Sequence, residues 1–251
     1  MSGPFVLLED YLHRRADNGR RVDFWLRDDD AVEPTDALEH LLGLGAASKI
    51  PLALAVIPAF TGEALARRLA DAESVTVLLH GWAHNNHAPD GEKKQEFGPH
   101  RPYNVMLAEL TRGRAWLRAV FGERFYPLFV PPWNRIDPFL IPRLPEAELC
   151  ALSTFGTERR SAIAMVNTHV DIIDWHGTRG GRDPAILVHE IIARLDHGDV
   201  VGVLTHHLVH DRAAWDFLAE LFALTSRHPA CRWRSIRDLA DERTQSLQIE
   251  D

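Results

Sequence analysis

The stretch FWLRDDDAV, residues 24–32, sets three consecutive aspartates at the end of an apolar run that reads as a buried strand. Val22, Phe24, Trp25 and Leu26 suit a pleated, covered surface. Three carboxylates do not, so at a strand end they either cap the next helix or carry chemistry. Comparable apolar runs recur at 52–57, 75–79, 127–130, 150–154, 164–173 and 200–204. Helical patterns at 35–47, 61–72, 104–121, 184–197 and 211–226 fall between them. That alternation predicts parallel βα units, and thus a distorted (β/α) barrel of about seven strands, with an open doubly wound sheet as the alternative.

The chain has 251 residues, 45% of them hydrophobic, which is enough for one sizeable core, and residues 1–251 read as a single domain. A formal net charge of -8 without any block of Lys or Arg argues against nucleic acid or an acidic membrane surface as partner. Cys150 and Cys231 are too few for a disulfide framework or a thiolate metal cage. No apolar run reaches membrane-spanning length and no secretory pattern opens the chain, so a cytoplasmic location without membrane contact is expected.

Active sites of α/β folds gather at the carboxyl ends of the strands. The polar clusters here fall at those ends: Arg27–Asp30, His80–His87, Pro131–Asn134, Asp174–Trp175 and Thr205–His207. Each alone has a bland explanation, such as a solvated turn, a helix cap, a packed tryptophan or a core histidine. Five together at equivalent positions point to one site. His80 and His84, four apart with a glycine between, can converge on a divalent cation, and a carboxylate beside them completes an open two-His, one-Asp set. The longest stretch without periodicity, about 80–103, is a loop, and Glu96 and Arg101 in it are candidates for shaping the substrate site.

Taken together, these clusters resemble the polysaccharide deacetylases of carbohydrate esterase family four. The family's Thr-Phe-Asp-Asp-Gly is similar to Leu26–Ala31, and its His-(Ser/Thr)-x-x-His to His80–His84, with Gly81 in the Ser/Thr place. Its Arg-x-Pro-(Tyr/Trp) resembles Val130-Pro131-Pro132-Trp133, with valine where the arginine should be. Asp171-Ile172-Ile173-Asp174-Trp175 looks like the fourth motif, Asp-x-x-Asp-Trp, and Leu204-Thr205-His206 like the fifth, Leu-x-His.

The resemblance implies a barrel that binds a divalent metal, most often zinc, and hydrolyses the N-acetyl group of an amino-sugar substrate, free or in an oligosaccharide. It implies Asp30, His80 and His84 as metal ligands, an aspartate as base and His206 as acid, with Asp174 orienting His206. It also implies substrate contacts: the Trp133 backbone N–H helps hold the developing oxyanion, and Trp175 and Leu204 floor a methyl-sized pocket. Two registers fit the first motif: Asp28 and Asp29 as the working pair, or Asp29 and Asp30 with Asp28 structural. Strand alternation favours the second, because it puts Arg27 and Asp29 on one face, where Arg27 can supply the cation missing at Val130; Arg135 is the other candidate for that role. A C–N hydrolase for a non-sugar amide or ureide, and a metal- or sugar-binding relative without turnover, are the alternatives.

Overall fold

The computed structural model describes residues 3–250. Strand β1 (Val22–Ala31) does not stop at Leu26 but takes in all three aspartates. Arg27, Asp28 and Asp29 are buried, and the ladder with β8 carries on through Arg27 and Asp28, so backbone pairing overrides the polar side chains. The strands that follow are β2 (Leu52–Val56), β3 (Val75–His80), β4 (Phe125–Val130), β5 (Ala151–Leu152), β6 (Ala164–Met165), β7 (Val170–Asp171), β8 (Val200–Thr205) and β9 (Cys231–Trp233). The helices are α1 (Gly3–Asp17), α2 (Asp36–Ser48), α3 (Glu63–Leu69), α4 (Tyr103–Phe121), α5 (Pro184–Asp196), α6 (Arg212–Thr225) and α7 (Ile236–Glu250).

The sheet runs β6-β5-β4-β3-β2-β1-β8-β7, with β9 also paired to β1. Its β1–β8, β3–β4, β4–β5, β5–β6 and β7–β8 ladders are parallel, and the fold is a distorted (β/α) barrel. Every residue of β2 and β3 is buried, as parallel strands covered on both faces must be. Among the described residues there are nine strands, where about seven were expected. The run 164–173 breaks into β6 and β7 because Asn167, buried between them, turns its side-chain oxygen to the backbone N–H and hydroxyl of Thr154. Short β9 and helices α1 and α7 were not anticipated, although α1 buries Phe5, Leu8, Leu12 and Arg15 at helical spacing.

The elements form two compact groups, and β1 contributes to both, its residues up to Asp28 to one and from Asp29 to the other. In the first, α1 packs on α5 and α6, and Phe5 meets Phe217 at a 5.4 Å ring separation. Thr35 opens α2 as expected, its hydroxyl accepting from Leu38 N at 3.1 Å, and Asp211 caps α6 through Ala214 N at 2.9 Å. Each such cap is worth about 1 kcal/mol. Helix α6 buries Phe217, Leu218, Leu221 and Phe222 on one face; truncating one of these leucines to alanine would cost about 2–5 kcal/mol.

In the second group α4 lies on β3 and β4. Gly113 permits the close approach: a Cβ there would stand 2.9 Å from Leu79 Cδ1 and 3.1 Å from Pro58 Cγ. Helix α7 packs on β6 and is tied in where the Tyr126 hydroxyl donates to Asp241 at 2.6 Å.

Candidate active site

At the end of β1 the chain leaves extended geometry, and Asp30 takes φ 72°. A non-glycine residue there costs of order 1–3 kcal/mol, although aspartate tolerates it better than most. His84 (φ 56°) and Trp133 (φ 55°) share this left-handed conformation. Three strained residues thus surround one point, as happens where function fixes the backbone.

That point is the meeting of Asp30, His80 and His84, whose ligand atoms all lie within 4.8 Å of one another. His80, buried at the end of β3, places Nδ1 3.0 Å from the Val130 carbonyl. A carbonyl only accepts, so Nδ1 carries a proton, and in the neutral form of the ring that leaves Nε2 with a lone pair to offer. Nε2 faces Asp30 Oδ1 at 3.0 Å, and His84 Nε2 lies 3.3 Å from the same oxygen. Burial holds the His84 imidazole below its ordinary pKa, which favours its neutral, lone-pair-donating form. Electron-pair donors turned on one another repel unless a cation joins them. Zinc takes such ligands at about 2.0–2.2 Å, which puts neighbouring ligand atoms of one tetrahedral ion about 3.3–3.5 Å apart. The triad therefore fits a divalent ion.

Val130 is buried, and its carbonyl accepts from both His80 Nδ1 and Gly81 N, the latter at 3.2 Å. Its side chain supplies no substitute for an arginine. The Trp133 ring stands 4.3 Å from that of His84, with Lys94 Nζ 6.0 Å from its centroid. Next to Trp133 opens a pocket of about 670 Å³, lined among others by Asn134, Arg135, Thr154, Phe155 and Arg159. The loop residues Glu96 and Arg101 do not line that pocket. Glu96 is buried and accepts from the backbone of the His80–His84 loop, while Arg101 forms a two-pronged pair with Glu109 of α4 at 2.9 and 2.6 Å.

In the other group, the register of β1 on β8 sets Arg27 opposite Leu204, both fully buried, and Asp28 opposite Thr205. His206 and His207 follow directly. Asp28 Oδ1 lies 2.5 Å from His207 Nδ1, and Asp28 Oδ2 accepts from His207 N at 2.8 Å. Burial pushes the Asp28 carboxyl above its ordinary pKa, and His207 offsets only part of that rise. His206 is half-buried, and the Trp175 ring meets it edge-on at 4.7 Å.

Asp174 accepts from Gly177 N and Thr178 N at 3.0 and 3.1 Å and so caps its own turn. It is Asp171 whose carboxylate receives the Trp175 indole N–H, at 2.8 Å. Sequence reasoning missed the bond between Asp171 and Trp175, the Asp28–His207 pair and the role of Glu96. The signals were present: a third aspartate where the resembling motif has two, a second histidine where it has one, and glycine at 81.

No protein-family model and no curated protein matches the sequence. Its structure is similar to that of a protein named as a polysaccharide deacetylase from Mycobacterium smegmatis, with TM-score 0.66 and 17% identity over 92% of each chain. It is also similar to a family 4 carbohydrate esterase from Streptomyces lividans solved with acetate, with TM-score 0.58 and 15% identity over 84% of this chain and 90% of that one. A third similar structure is a pseudoenzyme of the same esterase family from Bacillus anthracis, at TM-score 0.61 and 14% identity over 88% of this chain and 66% of that one. At these identities the likeness speaks for the fold, and activity has to be argued from the site. The chain has the fold of the polysaccharide deacetylases of carbohydrate esterase family four, the family its five motifs resemble.

Proposed function

We propose that the protein is a metal-dependent hydrolase that removes an N-acetyl group from an amino-sugar substrate, free or within an oligosaccharide, and that residues 1–251 act as one catalytic domain. The observation that carries this reading is the convergence of Asp30, His80 and His84 at strand ends of this fold. A divalent ion held by those three, zinc by the character of the donors, supplies the Lewis acidity that polarises an amide carbonyl and acidifies water.

The other roles follow from motif position and chemistry. Asp29, buried beside Asp30 in β1, takes a proton from the attacking water as its oxygen bonds to the acetyl carbon. His206 delivers a proton to the amine nitrogen as the C–N bond breaks, giving acetate and free amine. Trp175 holds the His206 ring edge-on. Arg27 provides the buried cation of β1 in place of the arginine absent at 130. Trp133 and the pocket beside it receive the sugar, and Leu204 backs the acyl end.

A metal analysis paired with acetate release from N-acetylated sugars tests this. About one divalent ion per chain with acetate release is expected. Turnover of non-sugar amides alone would replace the sugar by another C–N substrate. A second reading, a metal- or sugar-binding relative without turnover, is favoured by the valine at 130 and by the pseudoenzyme that shares this fold. Bound metal with no turnover of any amide would decide for it.

A further inference from the structure

Between the ligands His80 and His84 the chain makes a tight loop whose backbone N–H groups turn inward. One side chain receives them. Glu96 is 1% exposed, its Oε1 accepting from Ala83 N at 2.8 Å and from Asn85 N at 3.4 Å, and its Oε2 from Trp82 N at 3.2 Å. A buried carboxylate is tolerated only where hydrogen bonds replace its lost water, and here the loop supplies them.

The carboxylate has room only because residue 81 is glycine. A Cβ at Gly81 would stand 2.0 Å from Glu96 Oε2 and 2.6 Å from Pro132 Cγ, and Gly81 has φ 62°. The Ser/Thr of the resembling motif at this position is therefore incompatible with Glu96 as it sits. Glu96 itself stands on a fixed base. Its carbonyl accepts from Arg101 Nη1 at 3.2 Å, Arg101 is clamped to Glu109, and Asp137 N donates to the Phe97 carbonyl next in the chain at 2.8 Å.

We propose that Glu96 and Gly81 work as a pair that positions the two histidine ligands, with the carboxylate holding the His80–His84 loop in the strained form that aims His84 at Asp30. Glu96 is a positioning residue and touches neither ion nor substrate. The inference rests on the metal-site reading above. Partners that orient metal ligands typically change metal affinity by about 10–100-fold when removed.

The test is zinc affinity, measured by competition with a chromophoric chelator, for the whole chain and for Glu96→Ala, Glu96→Gln, Gly81→Ser and the double variant Gly81→Ser/Glu96→Ala. Far-ultraviolet circular dichroism and the melting midpoint of the metal-free proteins report the fold. Glu96→Ala is expected to weaken zinc binding about 10–100-fold with the fold intact. Glu96→Gln, which keeps the volume and guards against a misfolded alanine variant, weakens it in the same direction. Gly81→Ser weakens it too, and adding Glu96→Ala to Gly81→Ser costs less than adding it to the wild type, because the two share one space. Unchanged affinity in both Glu96 variants, or strict additivity in the cycle, overturns the pairing while leaving the metal site standing. A wild-type chain that binds no divalent ion overturns the metal reading and this inference with it.

Discussion

Asp28 and His207 face each other from β1 and the end of β8, 0% and 1% exposed at the side chain, with 2.5 Å between Oδ1 and Nδ1. A second bond, from His207 N to Oδ2, closes the arrangement into a ring. The chain thus carries one aspartate and one histidine beyond what the resembling motifs contain, and these two satisfy each other. That leaves Asp29 and Asp30 as the pair, and His206 as the histidine, to which the proposed function gives the motifs' roles.

Removing either partner of a buried pair leaves the other charge or dipole unmatched, which costs about 3–5 kcal/mol. Asp28→Asn and His207→Ala should therefore lower the urea midpoint strongly. His206→Ala should leave stability within about 1 kcal/mol and lower turnover about 10²–10⁴-fold with zinc retained. An inactive but fully stable His207→Ala would exchange the two histidines.

His210 adds a pH dependence. Burial, with His207 and His206 nearby, lowers its pKa from 6.5 to about 3. The unfolded chain binds a proton there below pH 6.5 and the folded chain does not until about pH 3, so this group's contribution is fully present above 6.5 and lost as pH falls through that window. Between pH 7 and pH 5 the loss is about 1–2 kcal/mol. Urea unfolding at both pH values should show a smaller drop in His210→Phe, which keeps an aromatic ring for Trp215, now 4.2 Å from His210. Equal drops would mean that His210 is solvated.

The alternation of apolar runs and helical patterns made the fold legible, because parallel strands covered on both faces leave near-continuous apolar stretches. The meeting of His80 and His84 was legible in their spacing, and Asp30 was added to them only by the resemblance. The supports of this triad were not legible. Glu96 lies twelve residues past His84, outside any motif, and bonds to backbone, so only the glycine at 81 hints at it. Asp171 and Asp174 look alike in the sequence, and only the turn at 174–178 shows that Asp174 serves its own backbone while Asp171 meets the tryptophan. The end of β1 was misjudged because three carboxylates read as solvent, although two of them are buried.

Trp175 carries a prediction about acyl size. Its ring touches His206 and its indole is pinned by Asp171, so it cannot swing away without losing a hydrogen bond. In the proposed pocket it closes the acyl end, where each added methylene is worth about 1–3 kcal/mol. Trp175→Ala should raise propionyl and butyryl turnover relative to acetyl, whatever it does to the absolute rate. A constant ratio across the three acyl groups would return Trp175 to a purely structural position.

The three aspartates of β1 are separable by two measurements, metal content and rate. Asp30 has the left-handed backbone and the carboxylate oxygen shared with both histidines, so Asp30→Asn should lose zinc, as should His80→Ala and His84→Ala. Asp29 is 2% exposed and lies next to Asp30 in the strand, so in the proposed role of base Asp29→Asn should retain zinc and lose about 10²–10⁴ in rate. Asp28→Asn should retain zinc as well, and its loss of rate should follow its loss of stability, vanishing at low temperature where the variant is folded. That temperature dependence separates the two buried carboxylates, because a missing base is missing at every temperature. If the folded, zinc-loaded Asp28→Asn were as inactive as Asp29→Asn, the working pair would begin one residue earlier and the buried bond to His207 would be part of the catalytic machinery.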